Sequence, residues 1–173
     1  IVEESRRRGF EVIPVIVDDI TRINIFLNDG TTEYKLVNDG AHVPREKQQE
    51  MLERIRNAAD MTHLSISGSL PQGIEPSYYD EIFDICRERG IRIILDISSA
   101  KLRDLLHWNP LLIKPNDEEL EQIFGIRIKK ESDIRKAFDF LHAEGAQNVL
   151  LTLGERGAYF SSGSAVYFAS ARP

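Results

Sequence analysis

Asn116 and Glu119 are the side chains whose spacing most invites chemistry in this sequence. They lie in the run Leu111-Leu112-Ile113-Lys114-Pro115-Asn116-Asp117-Glu118-Glu119-Leu120. The apolar residues read as the end of a buried strand, which Pro115 stops because it has no N–H to give a ladder. Asn116 is a good helix N-cap, and Glu119 stands where a carboxylate reaches back in a capping box. Two oxygen-bearing side chains are therefore expected one turn apart, at a strand's carboxyl end and beside a helix N-terminus. Ligands bind at that edge in open α/β sheets, and a helix N-terminus favours phosphate. The plain alternative is a capped surface helix.

Three further clusters suit anionic ligands. Ser67-Gly68-Ser69-Leu70-Pro71-Gln72-Gly73 combines glycine flexibility, hydroxyls and backbone amides. Gly68 and Gly73 have the glycine spacing of a P-loop, but Ile74-Glu75 stand where that loop needs Lys and Ser/Thr. No Gly-x-Gly-x-x-Gly follows a strand, so a dinucleotide-binding domain has no support either. In Thr152-Leu153-Gly154-Glu155-Arg156-Gly157 a buried strand runs into a turn with two glycines, which lets backbone approach a ligand or simply turns a hairpin corner. Thr21-Arg22-Ile23-Asn24 offers an arginine whose planar fork suits a phosphate monoester, although most strand arginines are only solvated.

Taken in order, these strings resemble the PfkB sugar kinases, a ribokinase-like family. Lys114-Pro115-Asn116-x-x-Glu119 is similar to its Asn-x-x-Glu motif, and Leu153-Gly154-x-x-Gly157 to its nucleotide-side turn. The Ser67–Gly73 loop and Thr21–Asn24 resemble segments of the branch holding 1-phosphofructokinase and tagatose-6-phosphate kinase. The resemblance spans the whole chain and implies ATP-dependent phosphorylation of a sugar phosphate, fructose 1-phosphate to fructose 1,6-bisphosphate first. Tagatose 6-phosphate, or a non-catalytic sugar-phosphate or nucleotide-binding module, are the alternatives. By the same resemblance, Arg22 and Ser69 hold the substrate phosphate. Lys114, Asn116 and Glu119 stand near the triphosphate and Mg²⁺, with Glu119 on the metal, and Thr152, Gly154 and Gly157 lie against the nucleotide.

Two departures qualify the match. The branch's Asp-Thr-Ser-Gly loop reads Asp96-Ile97-Ser98-Ser99 here, which argues against a direct ligand role. The family's Gly-Ala-Gly-Asp and Gly-Gly-Lys-Gly segments are absent, so the chain is expected to be a central piece, truncated at both ends and inactive alone. No catalytic residue is assigned within it.

Composition sets the bounds. With 173 residues, 42% hydrophobic and 29% charged, the chain can bury a sizeable core. A net charge of −6 argues against general nucleic-acid binding. The single cysteine excludes a disulfide framework, and no apolar run approaches a membrane span. A cytoplasmic protein with no membrane partner is expected.

The elements that must position these clusters alternate along the chain. Residues 1–8 read as a helix and Val12–Val17 as a β-rich run. Thr21–Leu27 and Thr32–Val37 form a hairpin about Asn28-Asp29-Gly30. These segments (1–40) end a helix and supply a β-lid implied to make a homodimer contact in the full-length protein. Residues 41–173 read as the α/β core. Pro44 opens a helix with Met51, Leu52, Ile55 and Ala59 on one face. Thr62–Ile66, Ile91–Leu95, the Leu111 run and Val149–Leu153 are strands. Helices follow Pro76 and Asn116, and Ser132 reads as a third cap. The fold expected is α/β, a ribokinase-like three-layer α/β/α arrangement with a mainly parallel sheet plus lid strands. Cys86 continues the Tyr79-Ile82-Phe83 stripe and reads as core, Trp108 as packing at a strand entrance, and His142 as a surface residue.

Overall fold

Parallel strands with their carboxyl ends at one edge form the heart of the larger of two units in the computed structural model, which describes residues 2–20, 22–38 and 40–171. This unit comprises Ala58–Ser69 and Pro76–Pro173. In it β3 (His63–Ser67), β4 (Arg92–Asp96), β5 (Leu112–Ile113) and β6 (Val149–Thr152) lie side by side in parallel. Strands β7 (Ala158–Ser161) and β8 (Val166–Ala169) extend the sheet antiparallel beyond β6. Helical crossovers join the parallel strands, as parallel pairing requires. They are α3 (Tyr78–Arg89), α4 (Lys101–Leu105) with a 3₁₀ turn at Leu106–Trp108, α5 (Asp117–Glu119) running into a π-turn at Leu120–Phe124, and α6 (Glu131–Ala143).

Period 3.6 puts Tyr79, Ile82, Phe83 and Cys86 of α3, and Ile134, Ala137, Phe138 and Leu141 of α6, into the core. They meet Leu95, Ile113, Val149 and Leu151, whose relative exposure is 0%. Burying each large apolar side chain is worth roughly 1.5–3 kcal/mol relative to leaving it in water. Cys86 is part of that core, and burial pushes its thiol up to about 11 against the opposing charge of Arg89. Helix α3 stops at Gly90, whose φ of 67° lets the Gly90 and Ile91 amides turn back onto Arg87 and Cys86.

Some sequence expectations in this unit need correction. Helix α6 starts at Glu131 with Lys130 as its N-cap, so Ser132 is not the cap. The carboxylate of Asp133 performs that task, accepting the amides of Lys129 and Lys130 at 3.1 Å each. His142 is half-buried: Nδ1 lies 2.7 Å from the Ala146 carbonyl and Nε2 2.7 Å from Ser161 Oγ. Trp108 packs at the entrance of β5 as expected, against Phe83 and beneath the Arg87 guanidinium.

The other unit comprises Ile1–Asn57 and Leu70–Glu75. It holds α1 (Val2–Arg7), the antiparallel pair β1 (Asn24–Asn28) and β2 (Glu33–Val37), and α2 (Arg45–Asn57). The turn follows its residue types: Asp29 Oδ1 accepts from the Thr31 and Thr32 amides, and Gly30 takes a φ of 91°. Every residue of β1 and β2 is exposed. Val12–Val17 forms no strand, because β propensity without a ladder partner does not suffice and Pro14 lacks a donor. On α2 the buried stripe is Gln48, Leu52 and Ile55, while Met51 is exposed and Ala59 lies beyond the helix. Gln48 bonds the Val43 and Gly73 carbonyls, which ties residues 70–75 to this unit rather than to the α/β sheet. The first unit thus extends past residue 40, where the sequence reading divided the chain. Thr21 lies outside the described residues.

Candidate active site

The sheet order places the ends of β3, β4, β5 and β6 next to one another, so four loops distant in sequence share one edge. Each loop is fastened to the next. The Gly68 amide donates to the Asp96 carbonyl at 3.0 Å, which docks the Ser67–Ser69 loop on the end of β4. Lys114 Nζ lies 3.0 Å from Asp96 Oδ1, joining the ends of β4 and β5 across a half-exposed ion pair. Asn116 bridges to Thr152, and the Thr152 amide donates to the Pro115 carbonyl at 3.1 Å, joining β5 to β6.

At the centre the capping box forms in both directions. The Glu119 amide donates to Asn116 Oδ1 at 2.7 Å, and Glu119 Oε2 accepts the Asn116 amide at 2.9 Å. The other oxygen, Oε1, accepts a hydrogen bond from Ser98 Oγ. Both carboxylate oxygens are thus engaged once and keep lone pairs for a further donor or ion. The sequence reading argued against a direct ligand role for the Asp96–Ser99 loop and did not foresee that its Ser98 hydroxyl bonds the Glu119 carboxylate. An Asp at a strand's carboxyl end was the available signal. Arg156 pairs with Asp117, fastening the Gly154–Arg156 turn to the same helix start.

The two glycines of that turn differ. Gly154 (φ 57°) has open space where a side chain would go, with no atom within 4 Å of a Cβ. Gly157 is buried, with φ 93° and ψ −154°, and a Cβ there would run into the Ala169 carbonyl. Its lack of a side chain is demanded by β8, whatever it contributes to a ligand. A shallow cavity of about 290 Å³ opens along Thr152, Gly154, Gly157, Ala158 and Ser170.

Of the residues singled out from sequence, Asn116 is joined to Glu119 by hydrogen bonds and to Thr152 by the β-bridge. Lys114 stands two residues before Asn116 with its ammonium on Asp96, and Gly154 and Gly157 lie on the adjoining turn. Ser69 follows the docked Gly68. Arg22 belongs to the other unit, on the coil before β1 and not on the strand itself, with its side chain against Gly40.

A mixed sheet with anion-suited loops gathered at its parallel strand ends defines an α/β ligand-binding domain of the nucleotide- and phosphate-handling kind. The chain belongs to the pfkB family of carbohydrate kinases, whose profile matches residues 1–173. It is 48% identical over 172 residues to D-tagatose-1-phosphate kinase of Klebsiella oxytoca, covering 99% of this chain and 57% of that protein. It is 29% identical over 150 residues to 1-phosphofructokinase of Bacillus subtilis, covering 87% of this chain and 49% of the relative. The chain therefore spans about half the length of the curated relatives it matches. Among solved structures, the tetrameric inhibited form of Escherichia coli phosphofructokinase-2 superposes with a TM-score of 0.83 at 26% identity, covering 99% of this chain and 58% of that one. Arabidopsis thaliana ribokinase superposes at 0.67 with 20% identity, over 90% of this chain and 50% of that one. The fold is ribokinase-like, as the sequence resemblance implied.

Proposed function

We propose that the full-length protein transfers the γ-phosphoryl group of ATP to the C6 hydroxyl of a ketohexose 1-phosphate. The observation that carries this reading is the bonded Ser98–Glu119–Asn116–Thr152 chain across three strand ends, in a pfkB family member. Phosphoryl transfer needs positioning and charge neutralisation more than covalent help from the protein. Lys114, Asn116 and Thr152 would face the phosphates, with Gly154 and Gly157 along the nucleotide. Bound ATP supplies the phosphoryl group, and Mg²⁺ neutralises its charge.

The residues fit Mg²⁺ in one particular manner. Among the described residues, no group of three or more His, Cys, Asp or Glu could enclose a metal ion. Mg²⁺ commonly binds through one or two carboxylates with the rest of its shell from phosphates and water. Glu119 has lone pairs for that part and is the residue assigned to it. Ser98 orients the carboxylate without neutralising it.

Glu119→Gln separates this role from capping. The amide can turn Oε1 toward the Asn116 amide and donate Nε2–H to Ser98 Oγ, so both contacts survive. In the full-length protein the melting temperature should stay unchanged, while turnover falls and the Mg²⁺ concentration needed for half-maximal rate rises. An unchanged magnesium titration would remove Glu119 from the metal.

Greater similarity to the D-tagatose-1-phosphate kinase than to the 1-phosphofructokinase, 48% against 29%, favours D-tagatose 1-phosphate over the fructose 1-phosphate read from sequence. The two sugars differ only in configuration at C4. A coupled ADP-release assay on the full-length protein should give turnover of at least about 1 s⁻¹, with kcat/KM higher for D-tagatose 1-phosphate. Tagatose 6-phosphate should be poor, since its C6 hydroxyl is blocked. Binding without transfer to any of the three would instead support the non-catalytic module.

Described residues 24–37 fit the lid assigned from sequence, an exposed ladder carrying Ile25, Phe26, Leu27, Tyr34, Leu36 and Val37. A homodimer that covers it, in a cytoplasmic enzyme, completes the reading. No helix among the described residues is long and apolar enough to cross a membrane.

A further inference from the structure

A cavity of about 310 Å³ lies within the α/β unit at the amino-terminal ends of β4 and β5, the opposite edge from Asn116 and Glu119. That volume sits at the lower end of the range for small-molecule sites, roughly 300–1,000 Å³. Its lining includes Phe83, Arg87, Arg92, Trp108, Asn109 and Gln147.

Three features of this lining leave hydrogen-bond donors available to a ligand. Arg92 interrupts the otherwise apolar run Ile91–Leu95, is exposed, and makes no side-chain ion pair among the described residues. Arg87 stacks over the Trp108 ring at 4.9 Å and pairs with Asp84 at 2.7 Å, which leaves most of its five donors unused. Trp108 Nε1, a donor with no acceptor capacity, is buried without any hydrogen-bond partner. An unsatisfied buried donor of this kind is unfavourable enough to call for a partner. The Cys86 thiol also lines the cavity, and burial keeps it protonated, so it adds no competing negative charge.

Two guanidinium groups and an orphan N–H call for an oxygen-rich anion, while Phe83 and Trp108 offer ring surface to an apolar body. We propose that this cavity binds a small organic anion, a phosphate ester or carboxylate carried on a flat apolar group, at a site separate from the nucleotide edge. Arg92 would hold the anionic oxygens, the Trp108 N–H would donate to one of them, and the Phe83–Trp108 pair would take the ring. The inference stands apart from the kinase reading, since it uses none of the residues assigned there.

Trp108 is the only tryptophan in this sequence and so reports on its own cavity. The experiment titrates the full-length protein with phenyl phosphate, benzoate and phenol, following calorimetry and the fluorescence difference between wild type and Trp108→Phe. Phenyl phosphate or benzoate should bind saturably and alter the Trp108 signal, in the presence or absence of saturating ATP. Which of the two binds more tightly distinguishes phosphate from carboxylate as the preferred anion. Phenol should bind at least tenfold more weakly. Arg92→Ala, at an exposed position where folding is not at risk, should weaken the anion by roughly tenfold or more. Trp108→Phe, which keeps a ring and drops the N–H, should weaken it by calorimetry. Equal binding of phenol, displacement by ATP, indifference to Arg92→Ala, or no saturable signal up to about 10 mM would each overturn the proposal. The last outcome would mean a cavity filled by water or by other parts of the full-length chain.

Discussion

Replacing Gly157 by alanine is expected to destabilise the protein by about 3 kcal/mol or more, the largest single-residue effect foreseen here. The backbone at Gly157, φ 93° and ψ −154°, lies in a region that is essentially restricted to glycine. Strain of that kind costs about 1–3 kcal/mol by itself. The added methyl would also meet the Ala169 carbonyl, with Ser170 Cα at 3.0 Å, so β8 must shift from its pairing with β7. A thermal melt should show a fall on the order of 6–12 °C or more, given about 2–4 °C per kcal/mol for chains of this size. Gly154→Ala is the contrast. Its φ of 57° is left-handed but has open space, so only the smaller cost of that conformation applies, about 1 kcal/mol. If Gly154 lies along the nucleotide, its methyl should raise the Kd for ATP more than it lowers stability. Equal, small losses of stability at both positions would mean that the β7–β8 corner yields more easily than its geometry indicates.

The second large effect is expected at Arg22. In the full-length protein Arg22→Ala should weaken sugar-phosphate binding by roughly ten- to hundredfold, corresponding to the 1.5–3 kcal/mol of a charge-assisted contact. Binding of ATP should be nearly unchanged. Arg22→Ala keeps the Cβ that faces Gly40, so the packing of these two residues against each other is retained. Isothermal titration with each substrate separates the outcomes. Parallel losses toward sugar phosphate and ATP would point to misfolding, and no loss toward either would place the phosphate elsewhere.

The parts of the site that were legible in sequence are those built from near neighbours. The Asn116–Glu119 box closes over three residues and the Asp29–Gly30 turn over two to three, so residue type and spacing suffice. The contacts that were missed join distant loops: Ser98 to Glu119 is 21 residues apart, and Arg156 to Asp117 is 39. These depend on which strand lies beside which, and hydrophobic periodicity carries no record of strand order. The Val12–Val17 run failed for a related reason, since strand propensity describes fitness for a sheet and not the presence of one. His142 was read outward because a histidine beside an apolar stripe is ordinarily solvated. Its ring is held by the Ala146 carbonyl four residues on and by Ser161, which a strand 19 residues away brings to it.

The central strand β5 is only two residues long, yet the Lys114–Asn116 segment springs directly from it. Its main-chain bonds are divided between both neighbours: Leu111 and Lys114 donate to Ile93 and Leu95 of β4, while Ile113 donates to Asn148 beside β6. Asn148 returns a side-chain bond to the Leu111 carbonyl at 2.7 Å. A strand so short has little independent cohesion and cannot fray one residue at a time. The segment is released only when the seams on both sides part together. The residues of the Lys114–Asn116 segment therefore inherit the opening equilibrium of the whole sheet centre rather than that of a surface loop. Backbone rigidity at this point is a collective property, set by β4 and β6 and reached through substitutions in them as readily as through the motif itself.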